Sequence, residues 1–451
     1  MIARKLDKQI ENHYINNNNA LLLIGARQTG KTFAIRNYAE RQGLKLVEIN
    51  FFQDPSASTI FDGAKDVREV LLRISAYTHT ELMPGCTLIF FDEVQKAPEV
   101  ITWIKFLVDE GSYRYALSGS LLGVELKNIR SIPVGYMAVK EVFPLDLEEF
   151  SRAIGISDEV IEHIKKAWET KTPVDPIVHT TMMKVTSLYL LTGGMPAVVQ
   201  AYIDSNNMQI VQAKQREILG LYRWDISQYD PKNKLYINDI FDIIPSELDA
   251  KNKRFVLKNL NENSRFLRYE NGFLWLQNAG VALPTYNVEA PTSPLKLEEH
   301  RNLFKLFSND VGLLAAQYAQ DIALKILRGE VNINNGAIYE NFVAQELKAH
   351  GYNLYYFNSK KQGEVDFLLE DDAKITPVEV KSGKDYNRHR ALNNIMDNES
   401  YNLTDAIVLT CDNVKMDGKL YYLPIYMLMF LQKRQPSEGM IYKIEIPEIT
   451  L

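Results

Sequence analysis

Apolar residues fall into two rhythms along the chain. Short apolar runs at Ala20–Ile24 and Thr87–Phe91 read as strands, the second as one buried on both faces, and Tyr113–Leu117 reads as a third strand. Helical periodicity precedes and separates them, first over residues 2–14 and then from Thr32 to about Arg41. That alternation predicts a parallel α/β sheet within the first 150 residues. Helices follow at Asp146–Trp168, Thr180–Asn206 and 208–225, with a break at Thr192-Gly-Gly-Met-Pro196. Shorter helices at 234–247, 251–260 and 264–279 lead to a strand or wing at Val281–Val288, and Glu289–Pro294 reads as a linker. In the last third an amphipathic helix, Gly336–His350, places Ile338, Phe342, Val343 and Leu347 on one side. Strands at Tyr355–Asn358, Glu364–Leu369 and Thr376–Val380 follow, separated by turns at Lys360–Gly363 and Asp371–Lys374. Residues 401–432 add a strand, a hairpin and a helix.

The length, 451 residues, suits two to four domains. Hydrophobic residues at 46% and charged residues at 24% exclude disordered, collagen-like and disulfide-scaffold classes. The net charge is −6, and no third of the chain is basic, so nucleic acid would have to meet a local patch. Cys86 and Cys411 show no metal-ligand spacing, which fits a reducing cytosol. There is no run of 18 apolar residues and no signal-peptide core, so the expected location is cytoplasmic, with no membrane partner.

Chemistry enters at Gly25-Ala26-Arg27-Gln28-Thr29-Gly30-Lys31-Thr32, followed by Phe33. This is the G-x-x-x-x-G-K-[ST] pattern, set between a strand and a helix as a phosphate-binding loop requires. Backbone N–H groups would wrap the phosphates, Lys31 would reach the β- and γ-phosphates, and the Thr32 hydroxyl would ligate Mg²⁺. The strand Thr87–Phe91 ends in Asp92-Glu93. Asp92 would hold Mg²⁺ through its water shell, and Glu93 would polarise the attacking water. At the tip of the next strand Ser118, with Ser120 as second choice, would contact the γ-phosphate or orient the water; a plain strand-ending turn explains them equally well. The absence of an Asn-Lys-x-Asp motif disfavours a GTPase.

These strings, with Phe91-Asp-Glu-Val-Gln-Lys-Ala-Pro98, Phe143-Pro-Leu-Asp-Leu-Glu-Glu-Phe150 and Tyr189-Leu-Leu-Thr-Gly-Gly-Met-Pro196, resemble a large prokaryotic family. Its members are AAA+-superfamily ATPases whose C-terminal half is a conserved domain of unknown function. The resemblance implies adenine as the base, a helical lid over 151–230 and a winged-helix unit over 231–300, beside the P-loop core over 1–150. Members carry Gly-Arg before the Pro-Leu-x-x-x-Glu-Phe stretch. Here Ile132-Pro-Val-Gly-Tyr136 lacks it, so no trans-acting arginine is assigned there, although Arg130 lies nearby.

The C-terminal unit, 301–451, resembles the restriction-endonuclease-like fold through Glu340, Asp366 and Glu379-x-Lys381. On a strand Glu379 and Lys381 share one face, and Asp366 on the paired strand could share a divalent metal with Glu379. Lys381 would position or deprotonate the water, and Glu340 would complete the metal shell. The competing reading keeps the nuclease fold for DNA binding or assembly, with Glu379–Lys381 as an ion pair. Lys251, Lys253, Arg254, Lys258, Arg265 and Arg268 form one basic cluster, and Lys384, Arg388 and Arg390 another. Either could meet DNA phosphates; the first is equally a solvated helix face. The whole reads as an ATP- and Mg²⁺-dependent AAA+-type ATPase, with DNA and a second copy of the chain as further partners. Three activities stay open: regulated metal-dependent DNA cleavage, an ATP-gated DNA-binding or scaffold switch, and a nucleotide-binding regulator of protein partners.

Overall fold

The computed structural model describes residues 2–120, 135–229, 234–250, 253–255, 266–318, 336–383 and 387–434. Its first part contains α1 (Lys5–Asn16), β1 (Ala20–Ile24), α2 (Lys31–Arg41), β2 (Lys45–Asn50), α3 (Val67–Thr78), β3 (Thr87–Asp92), α4 (Glu99–Glu110), β4 (Arg114–Gly119) and β5 (Met137–Glu141). The strands form one parallel sheet in the order β2-β3-β4-β1-β5. Every residue of β3 is buried, as an inner parallel strand covered on both faces must be. Chain order reverses around β1, so the C-terminal ends of β1, β3 and β4 open onto a shared crevice.

Helices follow: α5 (Leu147–Ala153), α6 (Asp158–Thr170), α7 (Pro176–Thr192), α8 (Pro196–Ser205), α9 (Met208–Tyr229), α10 (Lys234–Asp249) and α11 (Phe266–Asn278). The single helix expected over 146–168 is two. Gly155, at φ +100°, ends the first, and the Ser157 side chain caps the second. Among the described residues no single helix is long and apolar enough to cross a membrane. The bent pair α7 and α8 meets that test together, but its apolar side chains, Met182, Val185, Leu190 and Val198 among them, lie in the core.

The remaining elements are β6 (Ala282–Val288), β7 (Glu299–Ser308), α12 (Val311–Ala315), α13 (Gly336–Ala349), β8 (Tyr355–Ser359), β9 (Gly363–Asp371), β10 (Lys374–Val380), α14 (Arg390–Met396), β11 (Ala406–Thr410), β12 (Lys415–Asp417) and β13 (Leu420–Pro424). Their strands form a mixed sheet in the order β12-β13-β11-β10-β9-β8-β6-β7. This corrects one expectation. The strand assigned to a wing is β6, an inner strand of this sheet, antiparallel to β7 and parallel to β8. The boundary expected at 300/301 therefore falls inside β7. The expected helix over 251–260 lies largely outside the described residues.

One apolar core runs from Ala26 through Leu145, Tyr189, Tyr222, Trp275, Phe307 and Phe342 to Leu428. It joins the phosphate loop, the helical segment and the second sheet into one packed body. Helix α13 lies in its midst, buried at every position from Ala337 to Leu347 rather than along one stripe. Its polar residues survive burial because each has a partner. Asn341 accepts from the Ser308 amide at 2.7 Å and donates to the Ser308 carbonyl at 3.1 Å. Gln345 accepts from the Val311 amide and donates to the Tyr189 hydroxyl, both at 2.7 Å. Glu346 accepts from the Leu147 amide at 3.1 Å.

Candidate functional site

The phosphate loop leaves β1 at Gly25 and enters α2 at Gly30. Gly25 (φ +132°) lies against the Val142 backbone and Gly30 adopts φ +93°, so neither position takes a side chain without strain. Gln28 is also left-handed, at φ +67°. Lys31 is buried, and its Nζ donates to the carbonyls of Gly25 at 3.0 Å and Ala26 at 2.7 Å. Burial, only partly offset by Glu93 and Asp92, lowers its pKa to about 8. Thr29 is buried and ties its hydroxyl back to the Ala26 carbonyl at 2.9 Å. Phe33 is half exposed beside the loop.

The Asp-Glu pair faces this loop. The Thr32 hydroxyl lies 3.2 Å from both Asp92 oxygens, and Asn50 Nδ2 donates to Asp92 Oδ2 at 2.9 Å. Ser118 donates its hydroxyl to Asp92 Oδ1. Burial raises the Asp92 carboxyl above its ordinary range, against the Ser118 and Thr32 hydroxyls. Glu93 turns the chain in a left-handed conformation, φ +58°, a strain characteristic of functional positions. Its Oε2 accepts from Gln95 Nε2 and, at 3.2 Å, from the Ser120 hydroxyl. The two serines thus divide between the two carboxylates. Gln95 and Asn50 were not picked out in the sequence, though Gln95 stands two residues from Glu93.

Helix α9 grips the loop from the other side. The Tyr222 hydroxyl donates to the Arg27 carbonyl at 3.2 Å, and Asn309 Nδ2 donates to that hydroxyl at 3.3 Å. Arg27 Nη1 pairs with Asp225 Oδ1 at 3.0 Å. Gly280, after α11, fits so tightly on the loop that a Cβ there would lie 3.0 Å from the Ala26 nitrogen. Arg4 ties the outer side, donating to the carbonyls of Thr29 at 3.3 Å and Phe143 at 2.9 Å while pairing with Glu149.

The Gly-Gly-Met-Pro break also serves this frame. The Gly194 amide donates to Asp310 Oδ2 at 2.7 Å, and the Gly194 carbonyl accepts from the Leu145 amide at 2.7 Å. Asp310 is fully buried and caps α12 through the Leu313 amide at 2.9 Å. Burial lifts its carboxyl to about 6 despite several backbone N–H donors.

In the second sheet Glu340, Asp366, Glu379 and Lys381 converge, with two lysines the motif did not predict. Lys305 is buried, lying 2.7 Å from Glu364 and 3.4 Å from Glu340. Lys253 pairs with the other Glu340 oxygen. Lys381 pairs with Glu379 at 2.7 Å, and Asp366 Oδ2 accepts from the Val380 amide at 2.8 Å. Burial works against the Lys305 ammonium, but Glu340, Glu364 and Asp366 outweigh it and hold its pKa above the lysine range. Burial, then Glu340 and Glu379, push Asp366 well above the carboxylate range. Burial also raises Glu379 against the pull of Lys381. Replacing Lys305 with methionine would take the counter-charge from Glu364 and leave the buried Glu340 with Lys253 alone. The expected loss is about 3 kcal/mol of unfolding free energy, read by denaturant titration; an unchanged midpoint would refute the role of this lysine.

Of the expected phosphate-binding cations, Lys253 is drawn into this cluster, and Arg388 and Arg390 are exposed. Lys251, Lys258, Arg265 and Lys384 lie outside the described residues, as does the side chain of Arg268; Arg130, beside the missing Gly-Arg, lies outside them too.

Residues 17–151 match the AAA domain family, and residues 183–323 and 335–428 match two domains of unknown function, DUF8612 and DUF4143. The first match and the parallel sheet together give residues 17–151 the α/β core of a P-loop NTPase. No curated protein matches the chain. Among solved structures it is similar to a Walker-type ATPase of Pyrococcus abyssi at 14% identity and TM-score 0.44, over 70% of this chain and 96% of that one. It is also similar to AMPPCP-bound DnaA from Aquifex aeolicus at 13% identity and TM-score 0.30, covering 62% and 95% of the two chains. The ORC1 protein of Aeropyrum pernix in complex with DNA gives 12% identity and TM-score 0.27, covering 73% and 93%. At these scores the likenesses carry no argument about function.

Proposed function

We propose that this protein hydrolyses ATP at the crevice between Gly25–Phe33 and Asp92-Glu93, and that its C-terminal half is an ATP-gated binding or scaffold module. One observation carries the ATPase reading: Lys31, Thr32, Asp92 and Glu93 meet where α2 begins and β3 ends, with Thr32 3.2 Å from Asp92. Mg²⁺ is held by one or two protein oxygens together with substrate phosphates, so a hydroxyl facing a carboxylate fits it. When bound there it would offset phosphate charge. Lys31 would turn from the loop carbonyls to the β- and γ-phosphates, and Ser118 would keep Asp92 oriented. Glu93, held by Ser120 and Gln95, would take the proton of the attacking water.

Glu93→Gln should still bind ATP while phosphate release falls at least about 100-fold. Unchanged turnover in a malachite-green assay would remove Glu93 from that role.

The C-terminal cluster has the residue order of a nuclease but does not fit a divalent metal as it stands. Lysine ammoniums face both Glu340 oxygens, and among the described residues no group of three His, Cys, Asp or Glu side chains is arranged for one. The non-catalytic reading follows from that charge balance. Exposed Arg388 and Arg390 favour an anionic partner such as DNA. Fluorescence anisotropy with duplex and single-stranded DNA at low salt, with and without ATP, tests it. The reading expects ATP-dependent affinity without cleavage; metal-dependent cleavage abolished by Asp366→Ala would overturn it.

A further inference from the structure

Arg27 stands out within the phosphate loop because its side chain is committed to a distant helix. Its Nη1 pairs with Asp225 of α9 at 3.0 Å, while its Nε is buried without a hydrogen-bond partner. The guanidinium lies 5.2 Å from the Phe52 ring and 6.0 Å from the Trp224 ring, both half exposed. The Phe52 amide donates to Oδ1 of Asn50, whose amide holds Asp92, so this is the end of the crevice where magnesium and the attacking water would sit. Charge effects place the groups similarly: Arg27 adds to the lowering of Lys31, and Glu93 adds to the raising of Asp225. Asp225, pushed up to about 6 by burial despite Arg27, is a poorly solvated partner.

Lys31 marks where the β- and γ-phosphates would go. A guanidinium in the same loop, with one N–H unpaired, is built to take two oxygens of a phosphate. ADP offers no γ-phosphate to compete with Asp225 for it. Tyr222, one turn before Asp225, holds the Arg27 carbonyl, so the same helix senses both the backbone and the side chain of this residue. Helix α9 in turn packs on α8, α10 and α12, which lead to the second sheet.

We propose that Arg27 is a γ-phosphate sensor acting within its own chain, restrained by Asp225 until the γ-phosphate of ATP takes the guanidinium and frees α9. This rests on the ATPase reading and names the group that tells ATP from ADP. It also provides an arginine within the chain, independent of any arginine from a neighbouring subunit. Trp224 moves with the pair and reports on it.

The test uses the full chain with Mg²⁺, titrated with ATPγS and with ADP, following tryptophan fluorescence and calorimetry. ATPγS should change the fluorescence, ADP should not, and Trp224→Phe should remove the change. Asp225→Asn should raise the ratio of ATPγS to ADP affinity about tenfold, because the competing partner is weakened. Arg27→Gln should lower that ratio by about tenfold. Ratios unmoved in both variants, or the same Trp224 signal with ADP, would overturn the sensor. Lys31→Ala separates the two levels. If it abolishes binding while the Asp225 and Arg27 ratios stay put, only the sensor fails; if it binds as the unaltered protein does, both fail.

Discussion

Lys31→Ala should abolish ATP binding, with affinity falling at least about 100-fold in calorimetric titration. In the structure the Lys31 ammonium is spent on the carbonyls of Gly25 and Ala26, at 3.0 and 2.7 Å. The loop is thus already closed around the ammonium that would meet the phosphates. Phosphate contacts are charge-assisted and roughly twice as strong as neutral ones, and an alanine methyl replaces none of them. Lys31→Arg should fare little better, because a broad planar guanidinium does not reproduce the compact ammonium that the buried Gly25 and Ala26 carbonyls hold. The fold should survive, since Thr29 still ties the Ala26 carbonyl and Tyr222 the Arg27 carbonyl. Retained nucleotide affinity in Lys31→Ala with unchanged thermal stability would show that ATP binds elsewhere.

The loop and the Asp-Glu pair were legible because their chemistry is local. Eight consecutive residues between a strand and a helix determine one phosphate cradle, and an apolar run ending in two carboxylates determines the other side. What stayed hidden depends on residues far apart in the chain. Asp225 meets Arg27 across nearly two hundred residues, and nothing near Asp225 marks it as other than a solvated helix position. Lys305 sits in a strand whose neighbours are apolar, and its burial follows only once Glu340 and Glu364 are brought beside it. Helix α13 misled for a related reason. Asn341, Gln345 and Glu346 look like a water-facing stripe until their backbone and side-chain partners are in place. The strand Ala282–Val288 was recognised as a strand, but pairing partners cannot be read from one strand's own residues, so a wing and an inner sheet position were indistinguishable.

Gly312→Ala should cost at least about 4 kcal/mol of unfolding free energy and drain the soluble yield. A Cβ on Gly312 would drive into the backbone of Thr192 and Gly193, and neither wall is the flexible end of a side chain. The same seam binds Gly194, where a Cβ would lie 2.8 Å from the Leu145 nitrogen. Gly220, exposed in α9 with nothing within 4 Å, is the control, and its alanine variant should gain about 0.5 to 1 kcal/mol from helix propensity alone. Asp310, which bolts the seam, adds a signature in pH. Its carboxyl, lifted to about 6, keeps a proton in the folded chain that the unfolded chain releases near 4. Its contribution is therefore present in full below the unfolded value and is lost as pH rises through 6. The stability gap between the unaltered protein and Asp310→Ala, measured by urea unfolding, should widen as pH falls from 7 to 4. A gap that stays level or narrows would show that the Asp310 carboxyl is not raised by its burial, and that the seam is held by the carboxylate at every pH in the range.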